Sequence, residues 1–424
     1  MATVSFRRAS SPGGRNMASL MTHMERNPGW ADAVRYNQLT HVIEACAPWP
    51  PVLGSTRTWE PINEEWHVLS ATRYFQENGH DRVGKQVVWD ALILRAQGNA
   101  YHPVRDWLDS LAWDGTPRLH ELCVRYFGAQ LMPATSIPSH AHDVERQRQK
   151  NYLACAGRYT LIGAVARAYQ PGCKMDTILV LVGEKQGERK SQAIAALSPD
   201  PCWVTDNIAA SLMNKDSKEA LRGKWIVELA EMHHHKTDAA AMKSFLSTPV
   251  DHYRPPYGRV TADWPRQCIM IGTANDLVLT DVTGNRRFWP FKVGHLDVER
   301  VHRDRSQLWA EAVSAFKSGS QWWPTQPEEA LFVREQTNFE HFDTWQSVIY
   351  QWANQQPNFT ITQLFDACRS DLTNGYGPKE GDEERAGKCL RRLGYFKVRK
   401  RVDGDRAYIW AKAQAGHVGQ GGTP

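Results

Sequence analysis

Nothing in the 424 residues comes near the roughly 20 consecutive apolar residues that a bilayer-spanning helix requires. The opening residues carry Arg7 and Arg8 but no apolar run of signal-peptide length, so no secretory leader is expected. The eight cysteines (46, 123, 155, 173, 202, 268, 368 and 389) are scattered, with no C-x-x-C pair. That argues against a disulfide framework or zinc site and predicts buried thiols in a reducing cytosol. Strong charge of one sign is also missing. A formal net charge of +5 permits a nucleic-acid partner without demanding one, because local clustering decides the matter. No primase or polymerase domain is apparent. What remains is a soluble, intracellular chain long enough for about two to three domains.

What is present centres on the stretch from Lys174 to Ser191. Ile178 to Val182 is a short apolar, β-branched run, the pattern of a strand buried on both faces. A turn with Gly183 and Gly187 follows, then Lys190-Ser191, then a helix starting at Gln192. Strand, loop, Lys-Ser and helix is the order of a phosphate-binding loop. There, backbone N–H groups surround phosphate oxygens, the lysine adds a point charge and the serine hydroxyl holds Mg²⁺. The spacing departs from G-x-x-x-x-G-K-[ST], because Glu184 and Arg189 stand where the two glycines belong. The alternative reading is a strand-turn-helix with an exposed basic turn.

About 30 residues on, the run Trp225 to Val227 reads as a second buried strand, ending in Glu228 with Glu231 just beyond. A carboxylate at a strand tip beside a phosphate loop suits a Mg²⁺ ligand, and a second acid can polarise the attacking water. A third strand, Gln267 to Gly272, runs into Asn275, whose amide can bond a γ-phosphate or that water. Then Arg286 and Arg287 stand together on an Asn/Gly-rich turn; guanidinium there can stabilise a transferring phosphoryl group, in cis or from a neighbouring subunit. Taken one by one, these groups also read as solvated acids and surface salt bridges. Their order along the chain is that of a ring-type ATPase.

Several phrases resemble the virulence-associated protein E family. They are Gly223-Lys-Trp-Ile-Val-Glu-Leu-Ala-Glu231, Tyr253-Arg-Pro-Pro-Tyr-Gly-Arg259, Gly272-Thr-Ala-Asn275 and Gly284-Asn-Arg-Arg-Phe-Trp-Pro290. Upstream, the segment from Asn99 to Arg118 resembles the family's N-terminal region, and the similarity runs from about residue 30 to 410. The family's loop usually reads G-x-Q-G-x-G-K-S, so Gln186-Gly187 and Lys190-Ser191 match while Glu184 and Arg189 depart. The resemblance implies a phage- or plasmid-encoded P-loop ATPase related to superfamily 3 helicases, in the cytoplasm of a bacterial host cell. It implies ATP and Mg²⁺ as cofactors, DNA as partner and a ring (a hexamer) as assembly; because no primase domain is apparent, any priming is expected from a separate primase or replisome partner. The candidate nucleotide-binding residues are Gly183, Gln186, Gly187, Arg189, Lys190 and Ser191. Ser191 and Glu228 would hold Mg²⁺, Glu231 or Asn275 the water, and Arg286 or Arg287 would act on a neighbour's nucleotide.

The fold class expected is α/β: an AAA+-like parallel sheet flanked by an N-terminal, mostly α-helical domain and a C-terminal winged helix. Residues 1–14 read as disordered. Residues 15–131 form the helical domain, with helical runs at Asn16–Glu25, Tyr36–Cys46, Ala71–Glu77 and Lys85–Gln97. A linker at 132–143 leads to the ATPase domain at 144–336, which opens with a helix over 145–169. His140 and His142 in the linker, and His233 to His235 after Glu231, are read as solvated. Tyr253, Arg254, Tyr257 and Arg259 form a basic, aromatic hairpin tip suited to threading a single strand; an ordinary turn with a packed tyrosine is the alternative. Residues 340–412 read as three helices and a hairpin, before a flexible tail at 413–424. From Lys388 to Lys412 nine Lys or Arg stand against two Asp, a density that favours duplex backbone contact through Arg391, Arg392, Lys397, Arg399, Lys400 and Arg401. The favoured reading is a DNA-dependent ATPase and helicase translocating on single-stranded DNA. Its alternatives are a nucleotide-binding initiator or regulator with weak hydrolysis, and a protein-interaction factor.

Overall fold

The computed structural model describes residues 16–52, 57–132, 140–183, 188–208, 214–230, 232, 239–254, 261–275, 277, 279, 285–339, 344–373, 375–402 and 405–412. The expected disordered start, the middle of the linker and the tail lie outside them. The chain divides into two compact units, Met1–Leu277 with Arg286–Thr337 and Val278–Asn285 with Asn338–Pro424.

The first unit begins with α1 (Met17–Arg26) and α2 (Pro28–Ala31), each capped by an asparagine side chain accepting from a backbone N–H. The run Tyr36–Cys46, expected as helix, is a hairpin: β1 (Val34–Asn37) pairs antiparallel with β2 (Val42–Ala47). Tyr36, Val42 and Ile43 favour a pleated surface, and Asn37 Oδ1 accepts from the N–H groups of Leu39 (3.0 Å) and Thr40 (3.1 Å), closing the turn. With β3 (Thr58–Pro61) and β4 (Ala100–Tyr101) these strands make a four-stranded sheet in the order β3-β2-β1-β4. Helices α3 (Leu69–Glu77) and α4 (Lys85–Gly98) lie where the periodicity predicts. This region has its own core, with Met24, Trp30, Phe75 and Leu92 buried.

Past α5 (Pro103–Asp109) the packing changes. Val104, Leu108, Leu119, Leu122 and Tyr126, which the sequence reading gave to the helical domain at 15–131, belong to the core of the parallel sheet. The 30-residue α6 (His140–Tyr169) crosses that core, and Trp225 donates its indole N–H to Ala164 O on it (2.9 Å). Its first turn takes in His140 and His142, placed in the linker by the sequence reading. Next come β5 (Ile178–Val182), α7 (Lys190–Ala196), β6 (Val204–Thr205), α8 (Lys215–Ala220) and β7 (Ile226–Leu229). Then follow α9 (Ala239–Ser247), the antiparallel hairpin of β8 (Val250–Tyr253) and β9 (Ala262–Pro265), β10 (Ile269–Ala274) and β11 (Phe288–Lys292). The five-stranded sheet runs β11-β5-β10-β7-β6, every pair parallel. Every residue of β5, β7 and β10 is buried, as expected of strands covered on both faces. The fourth strand inserts beside the first, so the carboxyl ends of β5, β10 and β7 lie side by side. Helices α10 (Val298–Lys317) and α11 (Gln326–Thr337) close the unit, with Trp309 packed on Trp225 at 4.2 Å between centroids.

The second unit holds α12 (Thr344–Ala353), β12 (Asn358–Phe359), α13 (Ile361–Ala367), α14 (Arg369–Thr373), α15 (Asp382–Arg392), β13 (Tyr395–Val402) and β14 (Asp405–Lys412). Thr360 and Gln363 form a reciprocal capping box at α13, and the β13–β14 hairpin is as expected. The short α14 and the edge strand β12, which completes a three-stranded sheet, were not foreseen.

Among the described residues no helix is long and apolar enough to cross a membrane, and no cluster of His, Cys, Asp or Glu could hold a metal.

Candidate functional site

The carboxyl ends of β5, β7 and β10 open on a cleft of about 370 Å³, lined among others by Glu188, Lys190, Ser191, Glu228, Thr273 and Asn275. Gly183 follows β5 and donates its N–H to Ala274 O (3.0 Å), which fixes the start of the loop against β10. A side chain at Gly183 would force the Glu188 carboxylate and the Lys190 ammonium to move, so the glycine is what lets both side chains fold over the end of β5. Arg189 takes the left-handed conformation (φ 63°, ψ 24°) where the family pattern has glycine. Its backbone turns as a glycine would, at a cost of about 1–2 kcal/mol. Its side chain bonds Gln192 Oε1 (2.7 Å) and both carboxylate oxygens of Glu299 on α10 (2.9 and 3.3 Å). Arg189 thus anchors the turn outward.

Lys190 opens α7, and its Nζ lies 3.3 Å from Gly183 O, 3.3 Å from Asn275 Oδ1 and 3.4 Å from Glu188 Oε2. Glu228 is only 2 % exposed. One of its oxygens accepts from Ser191 Oγ (2.8 Å) and from Thr273 Oγ1 (2.7 Å). Burial pushes its carboxyl above the usual range, opposed by the two hydroxyl hydrogen bonds. Lysine, serine, buried glutamate and asparagine therefore meet in one cleft. The hydroxyl and carboxylate of Ser191 and Glu228 are hard oxygen donors of the kind Mg²⁺ takes, and the Lys190 ammonium suits phosphate oxygens. Two members of the site were not singled out in the sequence. Thr273 lies in β10 two residues beyond Ile271, the register partner of Glu228, and so on the same face of the sheet; Glu188 reads in sequence as one more charge in a polar loop.

Arg286 and Arg287 lie elsewhere. They immediately precede Phe288, which pairs with Ile178 at the amino end of β5, whereas the cleft lies at the carboxyl end. Five strand residues separate the two, roughly 16 Å. Arg287 Nε donates to Ser247 Oγ (2.9 Å) and does not reach the cleft. Glu184, Gln186, Gly187, Glu231, Tyr257, Arg259 and His233 to His235 fall outside the described residues.

The sequence pattern of the virulence-associated protein E-like domain matches residues 108–341, more than half of the chain. The chain belongs to this family. The virulence-associated protein E-like match takes in the parallel sheet, the cleft and both arginines. No curated protein matches the chain. Among solved structures, two apo A-form structures of the NrS-1 C-terminal region are similar at 11 % identity. One covers 92 % of this chain and 100 % of its own (TM-score 0.40), the other 90 % and 96 % (TM-score 0.42). A further apo structure of that region covers 96 % and 100 %, at a TM-score of 0.37. Likeness at this level carries over neither fold nor activity.

In this virulence-associated protein E-like chain the expected hairpin before β10 is present as β8 and β9. Tyr253, however, is 6 % exposed and stacks on Trp264 (5.7 Å, 30°), so packing already uses the ring proposed for base stacking. Arg254 is exposed at the end of β8. In the second unit Lys397 and Arg399 alternate along β13, both over Tyr408 at 4.8 and 5.9 Å, while Arg391 on α15 lies over Trp410 at 5.8 Å. Lys400 and Arg401 continue β13, and Arg392 ends α15.

Proposed function

We propose that this protein is a Mg²⁺-dependent ATPase of a phage or mobile-element replication module, driving movement along single-stranded DNA as a superfamily 3-like helicase. The observation that carries the reading is the convergence of Lys190, Ser191, Glu228 and Asn275 on one cleft at the carboxyl ends of adjacent parallel strands. The loop from Gly183 to Ser191 would act as a degenerate P-loop. Lys190 would bind the β- and γ-phosphates, and Ser191 with Glu228 would hold the ion. Bound there, Mg²⁺ would neutralise charge building on the transferring phosphoryl group. Asn275 or Glu231 would orient the water. Because Arg286 and Arg287 stand at the far end of the sheet, they would serve a neighbour's nucleotide, which calls for an oligomer such as a hexameric ring. The second unit would act as a winged helix on DNA, with Arg391, Lys397 and Arg399 on the backbone. A separate primase and a cytoplasmic site of action complete the proposal. ATP hydrolysis stimulated by single-stranded DNA and lost in Lys190→Ala supports it; undiminished hydrolysis in that variant overturns the site.

The contact between Glu188 and Lys190 favours a second reading. A carboxylate beside the phosphate-binding ammonium suits a nucleotide-binding initiator or regulator with little turnover. Measurable nucleotide affinity without hydrolysis selects it.

A further inference from the structure

At the opposite end of the sheet from the cleft, the chain encloses a second, larger cavity of about 530 Å³. Its position follows from the topology. Lys174 and Asp176 lead into β5, Arg286 and Arg287 lead into β11, and Trp322 and Trp323 form the turn between α10 and α11. Trp322 is fixed: its indole N–H donates to Lys174 O (2.8 Å), and Trp323 meets it edge-on at 4.9 Å between centroids. Trp323 remains 50 % exposed, a large apolar ring half in water at the rim of a cavity of ligand size.

The lining combines three chemistries. Indole faces suit a flat aromatic ring. Lys174, Arg286 and Arg287 suit a phosphate, and Arg286 and Lys174 are exposed. Asp176 and Glu329, also on the lining, accept hydrogen bonds and suit an exocyclic amino group. We infer that this cavity binds a nucleobase bearing an exocyclic amino group together with its phosphate, as a site separate from the Lys190 cleft. The same chemistry is offered by a free nucleotide and by one unit of a single strand. Neither the cavity nor its test depends on hydrolysis at the cleft.

The test uses the whole 424-residue chain carrying Lys190→Ala, which weakens the first cleft, and dependence on Trp323 then assigns the remaining binding to the cavity. Calorimetry with adenosine monophosphate and uridine monophosphate is expected to show binding of the first, at least about fivefold tighter than the second. Trp323→Ala in the same background is expected to weaken it by about tenfold or more, the size of one base–aromatic stack, whereas Trp323→Phe keeps it within about threefold. Single-stranded oligo-dA that competes for the site assigns it to a strand; failure to compete assigns it to free nucleotide. Absence of binding by both, no preference for the amino-bearing base, or affinity indifferent to Trp323→Ala overturns the inference. Loss of hydrolysis in Lys190→Ala tests the ATPase reading, and monophosphate binding by that same inactive protein tests the cavity, so the two readings fail separately.

Discussion

The carboxylate of Glu188 lies 3.4 Å from the ammonium of Lys190, two residues along the same loop. Both side chains are largely buried, so the carboxylate holds charge where the proposed phosphate oxygens would compete for the same lysine. Glu188→Gln keeps the size and removes the charge. Nucleotide affinity is expected to rise about threefold to tenfold, on the scale of one partly screened ion pair. A calorimetric titration showing weaker binding in the variant would count against competition.

Glu228 links function to pH. Burial raises its folded-state pKa above the ordinary value of 4.5, so the folded protein binds more protons than the unfolded chain just above that value. Its contribution to stability is therefore lost as pH rises through the folded pKa. Glu228→Gln is expected to melt higher than wild type at pH 7.5, with the gap closing towards pH 4.5, while hydrolysis falls at least about 100-fold. Equal melting points across that range would refute the account.

If the arginines serve a neighbouring subunit, two dead variants complement each other. Lys190→Ala and Arg287→Ala proteins mixed in equal amounts put an intact lysine opposite an intact arginine at about a quarter of heterologous interfaces. Hydrolysis is expected to recover towards that fraction of wild type. No recovery in a mixture shown to exchange subunits would mean that Arg287 does not act across an interface.

Two imidazoles near the boundary between the N-terminal sheet and the parallel sheet act opposite to Glu228. Burial depresses His41 and His102 to about 4, and His102 Nε2 lies 2.5 Å from Gln267 Oε1. The unfolded chain takes up their protons first, so stability is complete above about pH 6.5 and lost as pH falls towards 4. Urea unfolding between pH 6.5 and 5 should lose up to about 1.4 kcal/mol per pH unit for each imidazole. His102→Asn should flatten that slope, and an unchanged slope would rule the residue out.

The basic strand of the second unit gives a salt-dependent signal. Lys397→Ala with Arg399→Ala is expected to weaken duplex binding for all sequences alike and to reduce the log–log salt slope by about two. A loss confined to one sequence would point to base reading instead.

Local pattern carried most of this fold into view. The run Ile178–Val182 reads as a strand covered on both faces, and β5 is buried at every residue. Tyr36 to Cys46 misled because a short apolar run fits either period, and the Asn37 turn that decides the matter depends on side-chain bonds. The cleft was legible as an order of motifs. Thr273 was hidden because its role comes from strand register, and Glu188 because its partner is set by the curl of a loop. The distance of Arg286 and Arg287 from the cleft was also out of reach, since it depends on β11 running parallel to β5 on the side away from β10.

Arg189 has one more consequence. Where the phosphate-loop pattern G-x-x-x-x-G-K-[ST] calls for a glycine, this chain bends at an arginine latched to Glu299, 110 positions downstream. The latch is open to solvent, with side-chain exposures of 41 % and 72 %, and added salt therefore weakens it. High ionic strength should loosen the bend from outside, so that nucleotide affinity acquires a sensitivity to salt beyond what its own phosphate contacts impose.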